Sequence, residues 1–421
     1  MDLPIHRMVT SQGVPVYFEE YPDLFQPASI LVCMMSGGAD DLALGAPGIH
    51  HWGEHLPFRG TALYPDGKND INGFIVDLGG SVNAYTSHDH TAYYATMPKS
   101  HWRNVASRVV DLVARPLNRV DDIEAERTII GQEINQRNAD VDIRAYEFVQ
   151  RCLWGEHPLG SNIIGTHESL AAIDTTMVSR MHAESYGRKR CVVFIAGSMK
   201  PHEVLEHIET LMELMPDPDI STRRLLASYG PMPIWRDGED VVENSEFDTS
   251  IVSLAFPLPG NGLRWDTRRV HQTTVQLLSM GSLSAPLQRM VREERKLAYQ
   301  VSANILDSRD GDTLLLQAKT SRANVVAVVD AFWDVLALPE IRSTERFERV
   351  QKTRQARHAM HLPNPKGGAT RMSRHLCVDE IVPSSEEVVR HLLETSPQKV
   401  LATLGTLTQD RGRVLTFLGK K

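Results

Sequence analysis

Cysteine is scarce in this chain. The four residues in 421, Cys33, Cys152, Cys191 and Cys377, stand far apart with no C-x-x-C pair. That spacing argues against a disulfide framework or a cysteine-built zinc site, and reads as reduced, mostly buried thiols. No run of eighteen or more apolar residues occurs, the length that a membrane-crossing helix needs. The opening residues, Met1-Asp2-Leu3-Pro4-Ile5-His6-Arg7, lack the basic start and apolar core of a signal peptide. The expectation is therefore a cytoplasmic chain with no membrane association. Basic stripes are missing too, and the formal charge is −8, so nucleic acid is not an expected partner.

The 42% hydrophobic and 23% charged content is that of a folded, soluble chain. Its length exceeds one ordinary core and predicts more than one domain. Strand-like runs occur at 14–18, 28–35, 81–86, 91–97 and 191–196, and helical periods at 101–115, 121–137, 143–153 and 201–214. Between Pro216 and Asp237 four prolines and a polar Ser221-Thr222-Arg223-Arg224 stretch read as a linker. Beyond it the order starts again. A strand at 249–256, helices near 268–280 and 284–296, and a strand pair at 297–306 and 312–320 come first. Helices near 323–336 and 343–360 and a last strand at 414–418 complete it. The prediction is an α+β protein of two domains with similar topology, at 1–215 and 238–421, joined by a linker at 216–237.

His51-Trp52-Gly53-Glu54-His55 carries the most chemical information. It reads H-x-x-E-H, the inverse of a zinc-peptidase signature. On a helix, positions i and i+4 share a face, so His51 and His55 can present two imidazole nitrogens to one metal ion. Glu54 lies close enough to reach water at that ion without being a ligand. A catalytic zinc needs one more ligand, usually acidic, and an open position. Glu126 and Glu133 are seven residues apart, two helical turns, and share a face; one can bind metal while the other orients a ligand histidine.

Several blocks resemble, in order, the pitrilysin/insulinase family of M16 zinc peptidases. They are Gly48-Ile49-His50-His51-Trp52-Gly53-Glu54-His55-Leu56-Pro57-Phe58-Arg59-Gly60-Thr61, Gly79-Gly80-Ser81-Val82-Asn83-Ala84-Tyr85-Thr86-Ser87 with Thr91-Ala92-Tyr93-Tyr94, His157-Pro158-Leu159-Gly160 with Gly165-Thr166, and Arg292-Glu293-Glu294-Arg295-Lys296-Leu297-Ala298-Tyr299. The match spans nearly the whole chain and is that of a short, two-domain, processing-peptidase-like member. The resemblance implies Zn2+ held by His51, His55 and Glu133, with Glu126 behind them and Glu54 activating the zinc-bound water. It gives Arg292 and Tyr299, from the second domain, the task of holding the substrate carbonyl, and fixed donors of that kind suit the oxyanion of a tetrahedral intermediate. Asn83, Ala84 and Tyr85 are expected to receive the peptide as an added strand.

The implied activity is that of a metalloendopeptidase acting on peptides or unfolded segments inside a dimeric chamber. It could be a general oligopeptidase or a dedicated maturation protease for a precursor or leader peptide. A homodimer and a heterodimer with a related subunit are both open, and the rival reading is a non-catalytic scaffold or partner subunit. Two departures from the family pattern stand out, Trp52-Gly53 in place of a bulky apolar pair, and Pro57. Since proline clashes with the carbonyl four residues before it, here Gly53, the helix is expected to end or bend just past His55. His50 reads equally as a group behind the ligands, a substrate contact, or a partly exposed neighbour. His88-Asp89-His90 reads as strand with both histidines on one face, a polar rim of the substrate cleft or, as the lesser alternative, a second metal site.

Overall fold

The computed structural model describes residues 3–23, 27–217, 239–244, 246–258, 264–308, 310–361, 365–408 and 413–420. The chain divides into two compact units. The first comprises Met1–Asn135, Ser161–Ala227 and Leu362–Glu386, and the second Gln136–Gly160, Ser228–His361 and Glu387–Lys421. Both are built of mixed strands and helices, as the α+β expectation has it. The contiguous boundaries expected from the sequence need two amendments, because 136–160 groups with the second unit and 362–386 with the first. Most of the predicted linker lies outside the described residues.

The first unit contains six strands, β1 (Ile5–Val9), β2 (Pro15–Glu20), β3 (Pro27–Met34), β4 (Ser81–Thr86), β5 (Thr91–Pro98) and β6 (Cys191–Gly197). Their spatial order is β1-β2-β6-β3-β5-β4. Only β2 and β6 run parallel; every other neighbouring pair is antiparallel. Alternation along β3 splits the core across two faces, as the two-residue period of a strand requires. Ile30, Val32 and Met34 face a core with Trp52, Ile49, Val105 and Val109. Leu31 and Cys33 face the other way, onto Phe194, Ala369, Met372 and Cys377.

The second unit holds β7 (Glu239–Asn244), β8 (Ser250–Leu258), β9 (Ala298–Asp307), β10 (Asp312–Thr320) and β11 (Val414–Gly419), in the order β7-β11-β8-β10-β9. Here too the one parallel pair, β7 with β11, joins the first strand to the last. Replacing β2 to β6 by β7 to β11 reproduces the topology strand for strand. The repeat is therefore real, and its first member carries β1 as an extra edge strand.

Neither β1 nor β7 has a counterpart in the sequence reading. Each is short and broken by charged or polar residues, His6 and Arg7 in one and Glu239, Asp240 and Glu243 in the other. The helix Pro365–Arg374 was also hidden, behind Gly367-Gly368, which in sequence reads as a breaker. Tertiary contact explains the second glycine. A Cβ on Gly368 would lie 2.7 Å from both Ala196 Cβ and Glu19 Oε2. The helix is fastened by the Ser29 hydroxyl, which donates to the Pro365 carbonyl (2.6 Å), and by an Arg371–Glu19 ion pair.

Candidate metal centre

His51, Glu54 and His55 lie on the helix Ile49–His55, which opens after Gly48 in a left-handed conformation (φ 91°). Its first turn is fixed by the buried carboxylate of Asp41, which accepts from the backbone of Gly48 (2.7 Å) and of His50 (3.3 Å). The helix ends at His55, and a 3-10 turn, Leu56–Arg59, follows. This is the termination expected from Pro57. Proline leaves the Gly53 carbonyl without its helical donor. The buried hydroxyl of Tyr93 donates to it instead, at 2.9 Å. A Cβ at Gly53 would also come within 2.0 Å of Met181 Cε, the mobile end of a side chain that would have to turn away.

Glu126 and Glu133 come from the helix Val120–Ala139. One donor atom each from His51, His55 and Glu133 lies within 4.8 Å of the others. Glu133 Oε2 is 3.8 Å from His51 Nε2 and 3.9 Å from His55 Nε2. Donors arranged tetrahedrally at about 2.0–2.1 Å from zinc sit about 3.4 Å apart, so the Glu133 oxygen need close on each ring nitrogen by only about half an ångström. Glu126, 5% exposed, faces the other nitrogen of His55, with Oε2 3.1 Å from Nδ1. A proton on Nδ1 leaves the Nε2 lone pair toward Glu133, the tautomer that a metal ligand needs. Arg59 Nε donates to Glu126 Oε1 at 2.5 Å. Burial works to raise the Glu126 carboxyl, but the hydrogen bonds from His55 and Arg59 outweigh it and hold the group below its ordinary range. In His55, burial alone would lower the pKa. The Glu126 bond and the nearby charges of Glu54, Glu126 and Glu133 reverse that.

Glu54 is 9% exposed and accepts from the Thr86 hydroxyl at the end of β4, at 2.6 Å. Burial raises its pKa, with the Thr86 bond and the His55 charge opposing. The donor set, two imidazoles and a partly exposed carboxylate beside a buried second carboxylate, suits a zinc ion with an open position.

Asn83, Ala84 and Tyr85 lie on β4, an edge of the sheet among the described residues. The Ala84 N–H donates to Asn83 Oδ1 at 2.8 Å, so one edge donor is covered by a neighbouring side chain. Arg292 and Tyr299 belong to the second unit. Both are exposed, Tyr299 by 81%, and the guanidinium carbon lies 5.5 Å from the ring centroid.

Two of the sequence readings need correction. His50 is neither a substrate contact nor partly exposed. It is fully buried, with Nδ1 2.6 Å from Asp41 Oδ1 and Nε2 near the hydroxyls of Ser36 (2.9 Å) and Ser185 (3.1 Å). The set has the members of a hydrolytic triad but is sealed from solvent, and it acts as an anchor for the helix start. His88-Asp89-His90 is not strand. It is the turn between β4 and β5, where His88 bonds the Ser161 carbonyl (3.0 Å) and His90 lies between Ser87 and Tyr85. Asp41, Arg59 and Thr86 escaped the sequence reading. Of these, Arg59 and Thr86 had a signal, their places in the Gly48–Thr61 and Gly79–Ser87 blocks.

The fold is that of a two-repeat α+β protein, and its first repeat brings His51, His55 and Glu133 together in a cluster that could hold a metal ion. The family model described as insulinase, peptidase family M16, matches residues 28–167, and that of the peptidase M16 inactive domain matches 172–353. An uncharacterized zinc protease of Mycobacterium leprae is 30% identical over 338 residues, covering 79% of this chain and 72% of the relative. A probable mitochondrial-processing peptidase subunit beta of Schizosaccharomyces pombe is 23% identical over 411 residues, 96% of this chain and 86% of its own. The chain belongs to the insulinase, or M16, peptidase family. Its fold is shared with the crystal structure of a peptidase M16 inactive domain from Pseudomonas fluorescens, at TM-score 0.84 and 16% identity over 100% and 98% of the two chains. A protease from Helicobacter pylori matches at TM-score 0.84 and 16% identity, over 99% of each chain. No helix among the described residues is long and apolar enough to cross a membrane.

Proposed function

We propose that the chain is a zinc-dependent endopeptidase for peptides and unfolded segments, with the zinc held by His51, His55 and Glu133. The observation that carries this reading is the convergence of those three donors beside the buried Glu54 carboxylate. Zinc would supply Lewis acidity toward a peptide carbonyl and toward water. Glu54 takes the proton of the attacking water and returns it to the leaving amine, and the Thr86 hydroxyl fixes the carboxylate for that transfer. Glu126 holds the His55 ring in its ligating tautomer.

The substrate adds as a strand to β4, displacing Asn83 Oδ1 from the Ala84 N–H; backbone bonds then give affinity, and side-chain pockets around Tyr85 give preference. Arg292 and Tyr299 serve as donors to the oxyanion. The working form is a pair of chains, identical or related, enclosing a chamber that admits flexible peptides and excludes folded proteins. The likeness to a processing-peptidase subunit favours a maturation role, and cytoplasm is the proposed location.

The test is cleavage of a quenched peptide library by the wild type, Glu54→Gln and Tyr299→Phe. The expected result is cleavage by the wild type, a loss of ~10²–10⁴ in kcat for Glu54→Gln at unchanged zinc content, and a loss of ~10²-fold for Tyr299→Phe. Equal cleavage by the wild type and Glu54→Gln would contradict the mechanism. Wild-type protein that holds zinc and cleaves nothing, alone or with a related subunit, would favour the scaffold.

A further inference from the structure

We propose that Cys33, Cys377, His90 and Met35 form a second metal site, one for copper(I), on the face of the first sheet opposite the His51 helix. Cys33 is the penultimate residue of β3, Met35 follows that strand, and His90 immediately precedes β5. Cys377 comes from the docked 362–386 segment, 344 residues from Cys33 in sequence. One donor atom each from Cys33, His90 and Cys377 lies within 4.8 Å of the others, and all three residues are buried. Neither thiol is in a disulfide.

The sulfur geometry is specific. Cys33 Sγ lies 3.9 Å from Cys377 Sγ and 3.7 Å from Met35 Sδ, and Cys377 Sγ is 3.9 Å from Met35 Sδ. Sulfur ligands at about 2.3 Å from a central ion are about 3.8 Å apart in a tetrahedron and about 4.0 Å apart in a trigonal plane. The three sulfurs therefore stand at ligand spacing before any ion arrives. Two thiols, a thioether and an imidazole make a soft donor set, and a thioether selects copper(I) over harder ions. His90 Nδ1 lies 2.9 Å from the Ser87 hydroxyl and Nε2 3.1 Å from the Tyr85 hydroxyl, so the nitrogen that takes the ion exchanges its hydroxyl for it while the bond at the other nitrogen orients the ring. Binding releases the two thiol protons to solvent and involves no change of oxidation state. An ion held here clips the 362–386 segment onto the sheet it covers.

The sequence concealed this site because its two cysteines share no local motif, and their wide separation had argued against a cysteine metal site. It is independent of the zinc centre, so its test uses the full chain carrying His51→Ala and His55→Ala. The reduced protein, free of oxygen, is titrated with copper(I) against a chromophoric competing chelator. The expected result is one copper per chain with a sulfur-rich X-ray absorption shell, and affinity at least about 100-fold lower in Cys33→Ser and in Cys377→Ser. Because serine at a buried position can cost the fold, Met35→Leu, a near volume-conserving change, gives the second reading: about tenfold weaker copper(I) binding with the melting temperature of the metal-free protein kept. Copper left with the competitor while both thiols titrate as free would overturn the site, as would equal uptake by the two serine variants. Uptake untouched by Met35→Leu would overturn the copper(I) assignment.

Discussion

The two repeats share a five-stranded topology and differ in what the helix after the second strand of each repeat presents. In the first repeat, the helix after β3 presents His51 and His55 to Glu133, with Glu126 behind. In the second, the helix Arg264–Ser279 after β8 presents Arg268 and His271 to Asp312, which opens β10. Arg268 Nη1 and His271 Nδ1 lie 2.6 Å and 2.7 Å from the two Asp312 oxygens, and all three residues are no more than 5% exposed.

The partner helices complete the contrast. In each repeat two α-helices come next after the hairpin, β4 with β5 or β9 with β10, and the later one bears Glu126 and Glu133 in the first repeat. In the second it is Thr344–His361, and it bears buried Arg346 and Arg354. Arg346 Nε donates to the Leu277 carbonyl (3.1 Å) and Arg354 to the Thr273 hydroxyl, both on Arg264–Ser279. Burial, with the charge of Arg269, pushes the Arg354 pKa down to about 9. Carboxylates facing imidazoles attract a cation, whereas guanidinium groups in the corresponding place repel one. One fold thus carries a cluster of candidate metal donors in one copy and a buried ionic lock in the other. The inactive-domain description of the matching family model accords with this division.

The comparison breaks if chemistry and stability fail to separate between the repeats. The largest expected effect is the ~10²–10⁴ fall in kcat for Glu54→Gln, with a melting temperature at or above that of the wild type, because a buried carboxylate is neutralised. Asp312→Ala should do the reverse. Thermal unfolding should show the second unit weakened by ~3–5 kcal/mol, since Arg268 and His271 lose their buried counter-charge, while zinc per chain stays the same. Glu126→Gln should weaken zinc affinity by ~10–100-fold, read by competition with a chelator, because His55 loses its orienting acceptor.

The smallest effect is with acid. Burial lowers the pKa of His88 and His182 below the ordinary 6.5, and their bonds to the Ser161 and Val113 carbonyls only partly oppose it. The unfolded chain then takes up protons first as pH falls. The stability that these two histidines contribute to the first unit is therefore full above about pH 6.5 and declines below it, which melting curves of the wild type against His88 and His182 variants over a pH series would show.

The proposed zinc centre was legible because its candidate ligands are local or nearly so. A four-residue spacing fixes His51 against His55, and a seven-residue spacing places Glu126 and Glu133 on one helix face. The long periodic helices and the apolar strands β3, β6 and β8 were legible for the same reason. What stayed hidden depends on distant partners. Asp41 and Ser185 make His50 an anchor, yet they lie 9 and 135 residues from it. Gly368 is a helix residue only because Ala196 lies against it. Cys33 and Cys377 meet across almost the whole chain. The turn at His88-Asp89-His90 was mistaken for strand because polar alternation there continues the period of β4 past its end at Thr86.

The measurement that bears most directly on the central claim is zinc per chain by mass spectrometry, for the wild type, His51→Ala with His55→Ala, and His271→Ala. The account predicts one zinc fewer in the double variant than in the wild type, and no change in His271→Ala. Equal zinc in the wild type and the double variant would contradict it.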